Sequence, residues 1–388
     1  MDFDVIVVGS GLVGASLALA LRTAGLTLAV VEAQPPRPAT GTGAWDSRVY
    51  AISPGSATFL DRCGVWSELA QARVSQVEEM RIFGDDVRSE IGFSAYAAGL
   101  RELAFIVENR ELQRVLWDGL KRAPDVAVIA PGSCRALTLA AELAQLELGD
   151  GRTLRARLVV GADGADSWVR TQAAIEAPPR PYHQLGVVAN FATAKPHRGV
   201  AFQWFRSDGV LALLPLPGNL ASMVWSTADA HAARLLELAP TELAAQVAAA
   251  SRGVLGDLQV ITPAAAFPLR LQRARQLVKP RLALVGDAAH NVHPLAGQGV
   301  NLGFRDAREL AQVLTQRGAQ TDCGDYRLLR RYERARQEDI ATMQLATDTL
   351  QRLFNNDNPW LARLRNFGLR LTNRQTQLKN LLVQHAVG

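Results

Sequence analysis

The sequence lacks the features that mark disulfide-stapled, secreted and membrane-spanning proteins. Its 388 residues contain only three cysteines, Cys63, Cys134 and Cys323, whose odd number and wide separation fit neither a disulfide framework nor a zinc site. No apolar run reaches the length of a membrane span, and no secretory signal stands at the start. Because 48% of the residues are hydrophobic and 20% are charged, the chain can bury a large core. We therefore expect a globular protein of the reducing cytoplasm.

Two further absences narrow the class of enzyme. No cysteines stand at C-x-x-C or C-x-x-x-x-C spacing, which argues against disulfide reductases. The pattern G-x-G-x-x-G occurs once, so there is no sign of a second, nicotinamide-binding Rossmann domain. The net charge of +5 is modest but uneven, since 11 Lys and Arg stand against 5 Asp and Glu from Tyr326 onward. The basic character is therefore concentrated in the C-terminal part.

A dinucleotide-binding pattern opens the chain. Asp4–Val8 predicts a buried parallel strand, Gly9, Gly11 and Gly14 follow at the start of an Ala- and Leu-rich helix, and Glu32 ends the next predicted strand. Such glycines let a pyrophosphate approach the helix N-terminus, and the acid can accept hydrogen bonds from ribose hydroxyls. The alternative is a tight turn with only a structural role. The pattern predicts a dinucleotide site but does not distinguish FAD from NAD.

The distal segment Gly286–Gly303 makes that distinction through a family resemblance. Its sequence, GDAAHNVHPLAGQGVNLG, resembles the second FAD motif of the para-hydroxybenzoate-hydroxylase-like flavoprotein monooxygenases. From His293 onward it specifically resembles the ubiquinone-biosynthesis hydroxylases. The resemblance covers nearly the whole chain in order, as far as the sequence YERAR that ends at Arg336. It implies that the dinucleotide is FAD.

The resemblance places flavin contacts in this distal segment. An acid at a strand end can accept hydrogen bonds from a sugar-alcohol chain, so we expect Asp287 to bind the ribityl group. A helix beginning near Val300 would direct unpaired N–H groups at the charge of the reduced flavin. The alternative is that Asp287 caps a helix and the glycines only form turns. The cofactor-binding residues expected here are Asp287, Gly297, Gly299, Val300 and Asn301, and the Pro294 carbonyl is expected to face the substrate beside the flavin.

A middle segment, GADGADSWVR, resembles the family motif associated with both FAD and NAD(P)H. The resemblance implies roles for Asp163, Gly164 and Arg170. The alternative is an ordinary strand-to-helix turn in which Asp166 or Ser167 is the N-cap.

Two arginines complete the resemblance. Arg48 lies in the sequence DSRVYAIS, and Arg110 opens a predicted helix that ends at Ala123, with Asn109 as its N-cap. Guanidinium groups suit the recognition of a pyrophosphate or a flavin edge. The alternative is two solvated surface side chains.

His290 and His293 invite a metal interpretation. No carboxylate or cysteine stands at ligand spacing beside them, so we expect no metal.

The order of these motifs predicts an α/β fold. It comprises a Rossmann-like FAD-binding domain, an inserted antiparallel β-sheet substrate domain and C-terminal helices. The β-like runs Val200–Phe205, Leu211–Leu214 and Ser222–Trp225 indicate the second sheet. The predicted division is 1–72, 98–177 and 279–325 for the FAD-binding domain, 73–97 and 178–278 for the substrate-binding domain, and 326–388 for the C-terminal helical region.

The resemblance implies an oxidoreductase that uses FAD, NAD(P)H and O2 to hydroxylate the ring of a lipophilic, polyprenylated phenol in ubiquinone biosynthesis. A basic, leucine-rich stretch from Asn358 can lie on an anionic membrane or dock on other ubiquinone-biosynthesis enzymes, or it can pack on the protein's own core. The first case would place the protein at the inner membrane as a peripheral protein. We expect no nucleic-acid partner. The alternatives are a hydroxylase of a small soluble aromatic, a flavin reductase or halogenase, and a catalytically silent flavoprotein scaffold.

Overall fold

A computed structural model describes residues 2–36, 44–84, 89–292 and 299–354. The strands in these ranges are β1 (Phe3–Val8), β2 (Leu28–Val31), β3 (Val49–Ile52), β4 (Val74–Val77), β5 (Glu79–Phe83), β6 (Glu90–Ser94), β7 (Ala104–Glu108), β8 (Val126–Ile129), β9 (Cys134–Leu139), β10 (Ala144–Leu148), β11 (Thr153–Gly161), β12 (Arg180–Thr193), β13 (Val200–Arg206), β14 (Gly209–Leu216), β15 (Leu220–Ala228), β16 (Leu258–Val260), β17 (Ala265–Arg273), β18 (Val278–Lys279), β19 (Leu282–Leu284) and β20 (His290–Asn291). The α-helices are α1 (Leu12–Leu21), α2 (Pro54–Arg62), α3 (Asn109–Arg122), α4 (Trp168–Gln172), α5 (Asp229–Glu237), α6 (Pro240–Ala250), α7 (Gly299–Thr315) and α8 (Tyr326–Phe354).

The first sheet is built on buried apolar strands that run parallel. Its order is β18-β19-β11-β1-β2-β8, with parallel pairing from β19 to β8 and the β9–β10 hairpin beside the first half of β11. Strands buried on both faces need helices on both sides. Residues of α1, α3 and α7 pack with this sheet in one hydrophobic core. The predicted Rossmann-like α/β unit is therefore confirmed.

A nine-stranded sheet forms the second layer. Its order is β20-β17-β12-β15-β14-β13-β5-β6, with β16 beside β12. Phe191, Met223 and Trp225 lie on the face that packs against α5 and α6. The sheet is antiparallel as predicted except at one pair, because β13 and β5 run parallel with Val200 opposite Glu79. β5 joins this edge from an earlier part of the chain and not through a hairpin, so no tight turn forces it to be antiparallel.

A small antiparallel sheet of β3, β7 and β4 links the two larger sheets. Ile106 of β7 and Val77 of β4 share a buried cluster with Ala201 and Leu216 of the nine-stranded sheet. This position places Arg48, which directly precedes β3, at the seam between the sheets. The division of the chain into three regions stays a prediction.

Two sequence-based boundaries need correction. α3 begins at Asn109, so Asn109 is not its N-cap; Glu108 holds that position, with φ −67° and ψ 140°, and makes no capping hydrogen bond with its side chain. β7 continues directly into α3, which leaves no turn in which Asn109 could act as a cap. β2 ends at Val31, one residue before Glu32.

The C-terminal helical prediction is confirmed for α8, up to Phe354. The remainder, including the basic stretch from Asn358, lies outside the described residues. In the described ranges, no helix is long and apolar enough to cross a membrane.

A buried carboxylate fastens α8 and α7 to the end of β19. Asp306 is fully buried and accepts hydrogen bonds from Gly286 N (2.9 Å), His290 Nε2 (2.6 Å) and Arg336 Nε (2.7 Å). Burial opposes its ionisation, but His290 and Arg336 outweigh burial and hold the pKa of Asp306 below its usual value. Tyr332 adds a hydrogen bond from its hydroxyl to the Leu284 carbonyl (2.9 Å). The turn after β19 is therefore fixed from both helices.

We expect Asp306→Asn to lower the free energy of unfolding by about 3–5 kcal/mol, because it leaves Arg336 and His290 short of a buried counter-charge. Asp118→Asn, which removes an exposed carboxylate from α3, is the control and should change stability by less than about 1 kcal/mol. Urea unfolding of both variants measures the difference.

The same variant should change the pH dependence of stability. Since the pKa of Asp306 is lower in the folded than in the unfolded chain, its contribution is present above the unfolded value of about 3.9 and is lost as the pH falls through the folded value. The parent should therefore lose stability more steeply than Asp306→Asn on acidification below about pH 4. Equal slopes would contradict an ionised Asp306.

Candidate active site

The predicted cofactor residues lie at the carboxyl ends of four adjacent parallel strands. Val8 of β1 is opposite both Val31 of β2 and Gly161 of β11, and Gly161 is opposite Leu284 of β19. In doubly wound folds, ligands bind at this edge of the sheet, at the point where strand order reverses. The predicted residues that follow these four strand ends are Gly9, Glu32, Asp163 and Asp287.

In the glycine loop after β1, Gly9 and Gly14 lie too close to other backbone atoms for a side chain, whereas Gly11 borders open space. Gly9 has φ 100°, and a Cβ there would lie 2.5 Å from the Ala162 carbonyl oxygen. A Cβ at Gly14 would lie 2.0 Å from the Gly9 carbonyl oxygen. A Cβ at Gly11 would meet nothing within 4 Å. The N-terminus of α1 carries no capping side chain and no acid in its first turn, so its N–H groups face room for an anion.

Val13 joins the glycine loop to the distal motif. A Cβ at Gly303 would lie 2.6 Å from Val13 Cγ2, and one at Gly286 would lie 3.1 Å from the same atom. Only glycine lets α7 and the turn after β19 pack this closely on the first turn of α1. Asp287 is therefore held beside the start of α1.

Glu32 organises the same loop with its carboxylate. Oε2 accepts hydrogen bonds from Ser10 N (2.7 Å) and Ser10 Oγ (2.8 Å), and Oε1 accepts one from Gln34 N (2.8 Å). A carboxylate offers about four acceptor positions, so one remains for a hydroxyl of a ligand.

Asp287 lies in a recess. Its side chain is solvent-exposed, yet the surrounding protein raises the pKa of its carboxyl, with burial as the largest cause. His290, Arg48 and Arg270 act in the opposite direction and favour the charged form, as does a hydrogen bond from the Asn291 side chain. Asp287 is thus a solvent-accessible acceptor near three basic side chains that favour its charged form.

Arg48 stands above this recess between two aromatic rings. Its guanidinium carbon is 5.3 Å from the centre of the Tyr50 ring and 5.8 Å from that of the Phe267 ring. Neither Arg48 nor Arg110 forms an ion pair with a carboxylate in the described part of the chain. Burial raises the pKa of the Tyr50 hydroxyl, while Arg48 lowers it. The Arg48 side chain also forms a hydrogen bond with that of Tyr50. Without a carboxylate partner, a guanidinium group keeps donors that suit an anionic ligand.

The middle motif is more structural than predicted. Asp163 accepts hydrogen bonds from Ser167 Oγ and from Val169 N (2.9 Å), and Ser167 Oγ caps α4 by accepting from Arg170 N (3.0 Å). The guanidinium of Arg170 is buried and donates to the carbonyls of Ala288 and Ala165, both at 2.9 Å. Ser167 is therefore the N-cap of α4, and Arg170 joins the middle motif to the distal one. The cofactor roles of Asp163, Gly164 and Arg170 stay predictions. Gly164, with φ 84°, has open space where a Cβ would project.

The distal helix begins where predicted, with Gly299 and Val300 as the first residues of α7. Asn301 is fully buried; its Oδ1 accepts from Ser53 N (2.9 Å) and its Nδ2 donates to the Ala51 carbonyl (2.8 Å). Its side chain therefore pins α7 to β3. The predicted residues Pro294 and Gly297 lie outside the described residues.

Several residues of the site had no assigned role in the sequence. Tyr50 and Phe267 flank Arg48, and Arg270 adds positive charge near Asp287. Asp46, two residues before Arg48, accepts hydrogen bonds from Arg48 N and Arg110 N, both at 3.0 Å. The spacing of Asp46 and Arg48 was visible, but the contact with Arg110 depends on the tertiary fold.

The metal interpretation gains no support from the described ranges. They contain no group of three or more His, Cys, Asp or Glu side chains that could hold an ion. His290 is bonded to Asp306, and His293 lies outside these ranges.

Comparison with known proteins identifies the family. Residues 2–346 match the family model described as an FAD binding domain. The 3-demethoxyubiquinol 3-hydroxylase of Escherichia coli is 37% identical over 99% of this chain and 98% of its own, and a ubiquinone hydroxylase of Rhodospirillum rubrum is 36% identical over 99% and 89%. The chain belongs to the ubiquinone-biosynthesis hydroxylases. These are FAD-dependent monooxygenases, so the predicted family, enzyme class and FAD cofactor are confirmed.

A solved structure supports the same assignment. A probable FAD-dependent monooxygenase from Pseudomonas aeruginosa is 25% identical and aligns with a TM-score of 0.79 over 95% of this hydroxylase and 100% of that chain. The predicted architecture, with an FAD-binding unit and a second sheet, is thus found in a known monooxygenase fold.

FAD fits the observed geometry of this hydroxylase. The open space before Gly11 and the uncapped N-terminus of α1 suit a pyrophosphate. The recess at Asp287, with Arg48 above it, suits a polyhydroxyl chain and an adjacent anion.

Gly11→Ala tests the open space directly. Because the added Cβ meets no protein atom, the stability of the apoprotein should stay within about 1 kcal/mol of the parent, the range of a glycine-to-alanine change. FAD affinity should fall at least about tenfold, because the methyl group occupies the path of the pyrophosphate. Gly92→Ala, in β6, also meets no atom within 4 Å and is the matched control. Flavin fluorescence titration measures both, and unchanged affinity in Gly11→Ala would count against a pyrophosphate at α1.

Proposed function

We propose that this hydroxylase uses FAD, NAD(P)H and O2 to hydroxylate the aromatic ring of a polyprenylated phenol in ubiquinone biosynthesis. The observation that carries this proposal is the near full-length similarity to hydroxylases whose names specify ubiquinone or a ubiquinol precursor as substrate. The fold alone would not support it, because one fold can host several chemistries.

In this proposal, residues after the ends of the parallel strands bind different parts of the FAD molecule. Gly9, Gly11 and Gly14 with the N-terminus of α1 bind the pyrophosphate, and Glu32 accepts a ribose hydroxyl. Asp287 accepts hydrogen bonds from the ribityl chain.

The remaining predicted residues bind FAD less directly. Arg48 and Arg110 bind the phosphate side, and the backbone N–H groups of Gly299, Val300 and Asn301 face the flavin ring. Asp163 and Gly164 hold the turn after β11 in place beside it.

Bound FAD supplies the electron transfer and the activation of O2, and the protein must place the ring and exclude water. Phe267 suits this task. Its half-buried ring packs against Gly186, where a Cβ would lie 2.9 Å from Cε2 and Cζ. It adds apolar surface beside Arg48, whose guanidinium carbon is 5.8 Å from the ring centre. An aromatic substrate can pack on such a surface.

The membrane-peripheral location and the enzyme complex are also proposals. They rest on the lipophilic character of the proposed substrate and on the basic, leucine-rich sequence after Asn358.

The first experiment is the visible spectrum of the purified protein, followed by anaerobic addition of NADPH or NADH with and without a prenylated phenol. We expect bound yellow flavin whose bleaching is accelerated by the phenol, and a product heavier by one oxygen atom after O2 is admitted. A soluble phenol without a prenyl tail serves as the matched control and should accelerate bleaching less.

Absence of bound flavin would contradict the proposal that this site binds FAD. Flavin that is bleached equally with both phenols would favour a small soluble aromatic substrate. Flavin that neither nicotinamide reduces would leave a scaffold or another electron donor as the explanation.

A further inference from the structure

The N-termini of α1 and α3 differ in whether a protein side chain accepts hydrogen bonds from their first N–H groups. α1 has neither a capping side chain nor an acid in its first turn. α3 also lacks a cap from its own N-cap residue, but the carboxylate of Asp46 accepts the hydrogen bond of Arg110 N, the second N–H of the helix. An acceptor at this N–H is what an N-cap side chain normally supplies. Asp46 therefore caps α3 from a distant part of the chain.

The same carboxylate also fixes the strand that leads to Arg48. Oδ1 of Asp46 accepts from Arg48 N at 3.0 Å, while Oδ2 accepts from Arg110 N at 3.0 Å. Asn109 N donates to the Arg48 carbonyl at 2.9 Å and closes the connection. The backbones of both arginines are thus bound to one another through a single side chain.

The backbone of Asp46 is held from two further directions. Its N–H donates to Glu108 Oε1, and its carbonyl accepts from Asn190 Nδ2 at 2.8 Å. Asn190 is fully buried in β12, so this bond reaches the nine-stranded sheet. Glu108 is in turn paired with Arg73 at 3.0 Å. Asp46 is therefore fixed between the small sheet, the nine-stranded sheet and the start of α3.

We propose that Asp46 is a positioning residue for the flavin site, which fixes the backbones of Arg48 and Arg110 so that both guanidinium groups are directed at one anionic ligand. The proposal rests on the roles given above to these two arginines. It explains why an acid lies two residues from a cation that is proposed to bind a pyrophosphate. Each oxygen of Asp46 accepts from a backbone N–H, and neither guanidinium forms an ion pair with a carboxylate of the described residues.

The test is FAD affinity in a double-mutant cycle. Asp46→Asn keeps the volume but replaces one acceptor by a donor, so one of the two N–H groups loses its partner. We expect its dissociation constant for FAD to rise about tenfold to a hundredfold, the effect of losing a hydrogen bond to a charged group. In an Arg48→Ala, Arg110→Ala background, the same change should alter the constant by less than about twofold, because coupled residues are not additive.

Stability separates positioning from simple damage to the fold. Glu242→Ala removes a carboxylate that accepts from Ala239 N at the start of α6, a helix that contains neither arginine, and is the matched control. We expect it to lower Tm of the apoprotein much as Asp46→Asn does, with an unchanged FAD constant. Asp46→Glu keeps the charge but moves the carboxylate by the length of one methylene group. If Asp46→Asn does not fold, Asp46→Glu is measured in its place, with the same expected changes in Tm and in the FAD constant.

Two results would overturn the proposal: an FAD constant within twofold of the parent, or an equal loss in the background without the arginines. Because FAD binding needs no substrate, a failure to hydroxylate a prenylated phenol would contradict the proposed function and leave this inference standing. A parent protein that does not bind FAD would overturn both.

Discussion

The ion-pair cluster at Asp306 is the constraint on which the rest of the site depends. A carboxylate with no exposed surface is stable only if charges and N–H groups surround it, and here they come from Gly286, His290 and Arg336. One of these donors is the backbone of the turn that carries Asp287. The cluster therefore holds the predicted ribityl-binding acid in place by its neighbour, and it explains why the sequence YERAR, far along the chain, belongs with the distal motif.

The N-termini of α1 and α3 differ in how their first backbone N–H groups find hydrogen-bond acceptors. α1 starts at the carboxyl end of β1, where its N–H groups have no partner of their own and Gly11 leaves room for one. α3 starts where β7 ends, and Asp46 supplies the acceptor. In the proposed function the dipole of α1 faces the ligand, whereas Asp46 interacts with that of α3 within the protein.

The sequence predicts those parts of the site whose residues lie close together along the chain. Strand, glycine loop, helix and acid follow one another within the first 32 residues, and the motif ending at Gly303 is contiguous, so spacing predicted both and the strand register brought them together. Contacts between distant segments were invisible: Asp306 with Arg336, Asp46 with Arg110, and the burial of the Arg170 guanidinium all depend on tertiary packing. The predicted N-cap role of Asn109 is wrong, because the preference of asparagine for N-cap positions does not show that β7 continues directly into α3.

Asp287 shows why both large sheets are needed for one site. Burial already raises the pKa of its carboxyl, and a ligand that displaces water from the recess would strengthen that effect. The groups that oppose it are His290 from the same turn, Arg48 from the residue before β3 of the small sheet, and Arg270 from β17 of the nine-stranded sheet. An ionised carboxylate accepts hydrogen bonds at both oxygens, whereas protonation turns one acceptor position into a donor. The second sheet therefore contributes to the proposed flavin site, because Arg270 favours the charged form of Asp287.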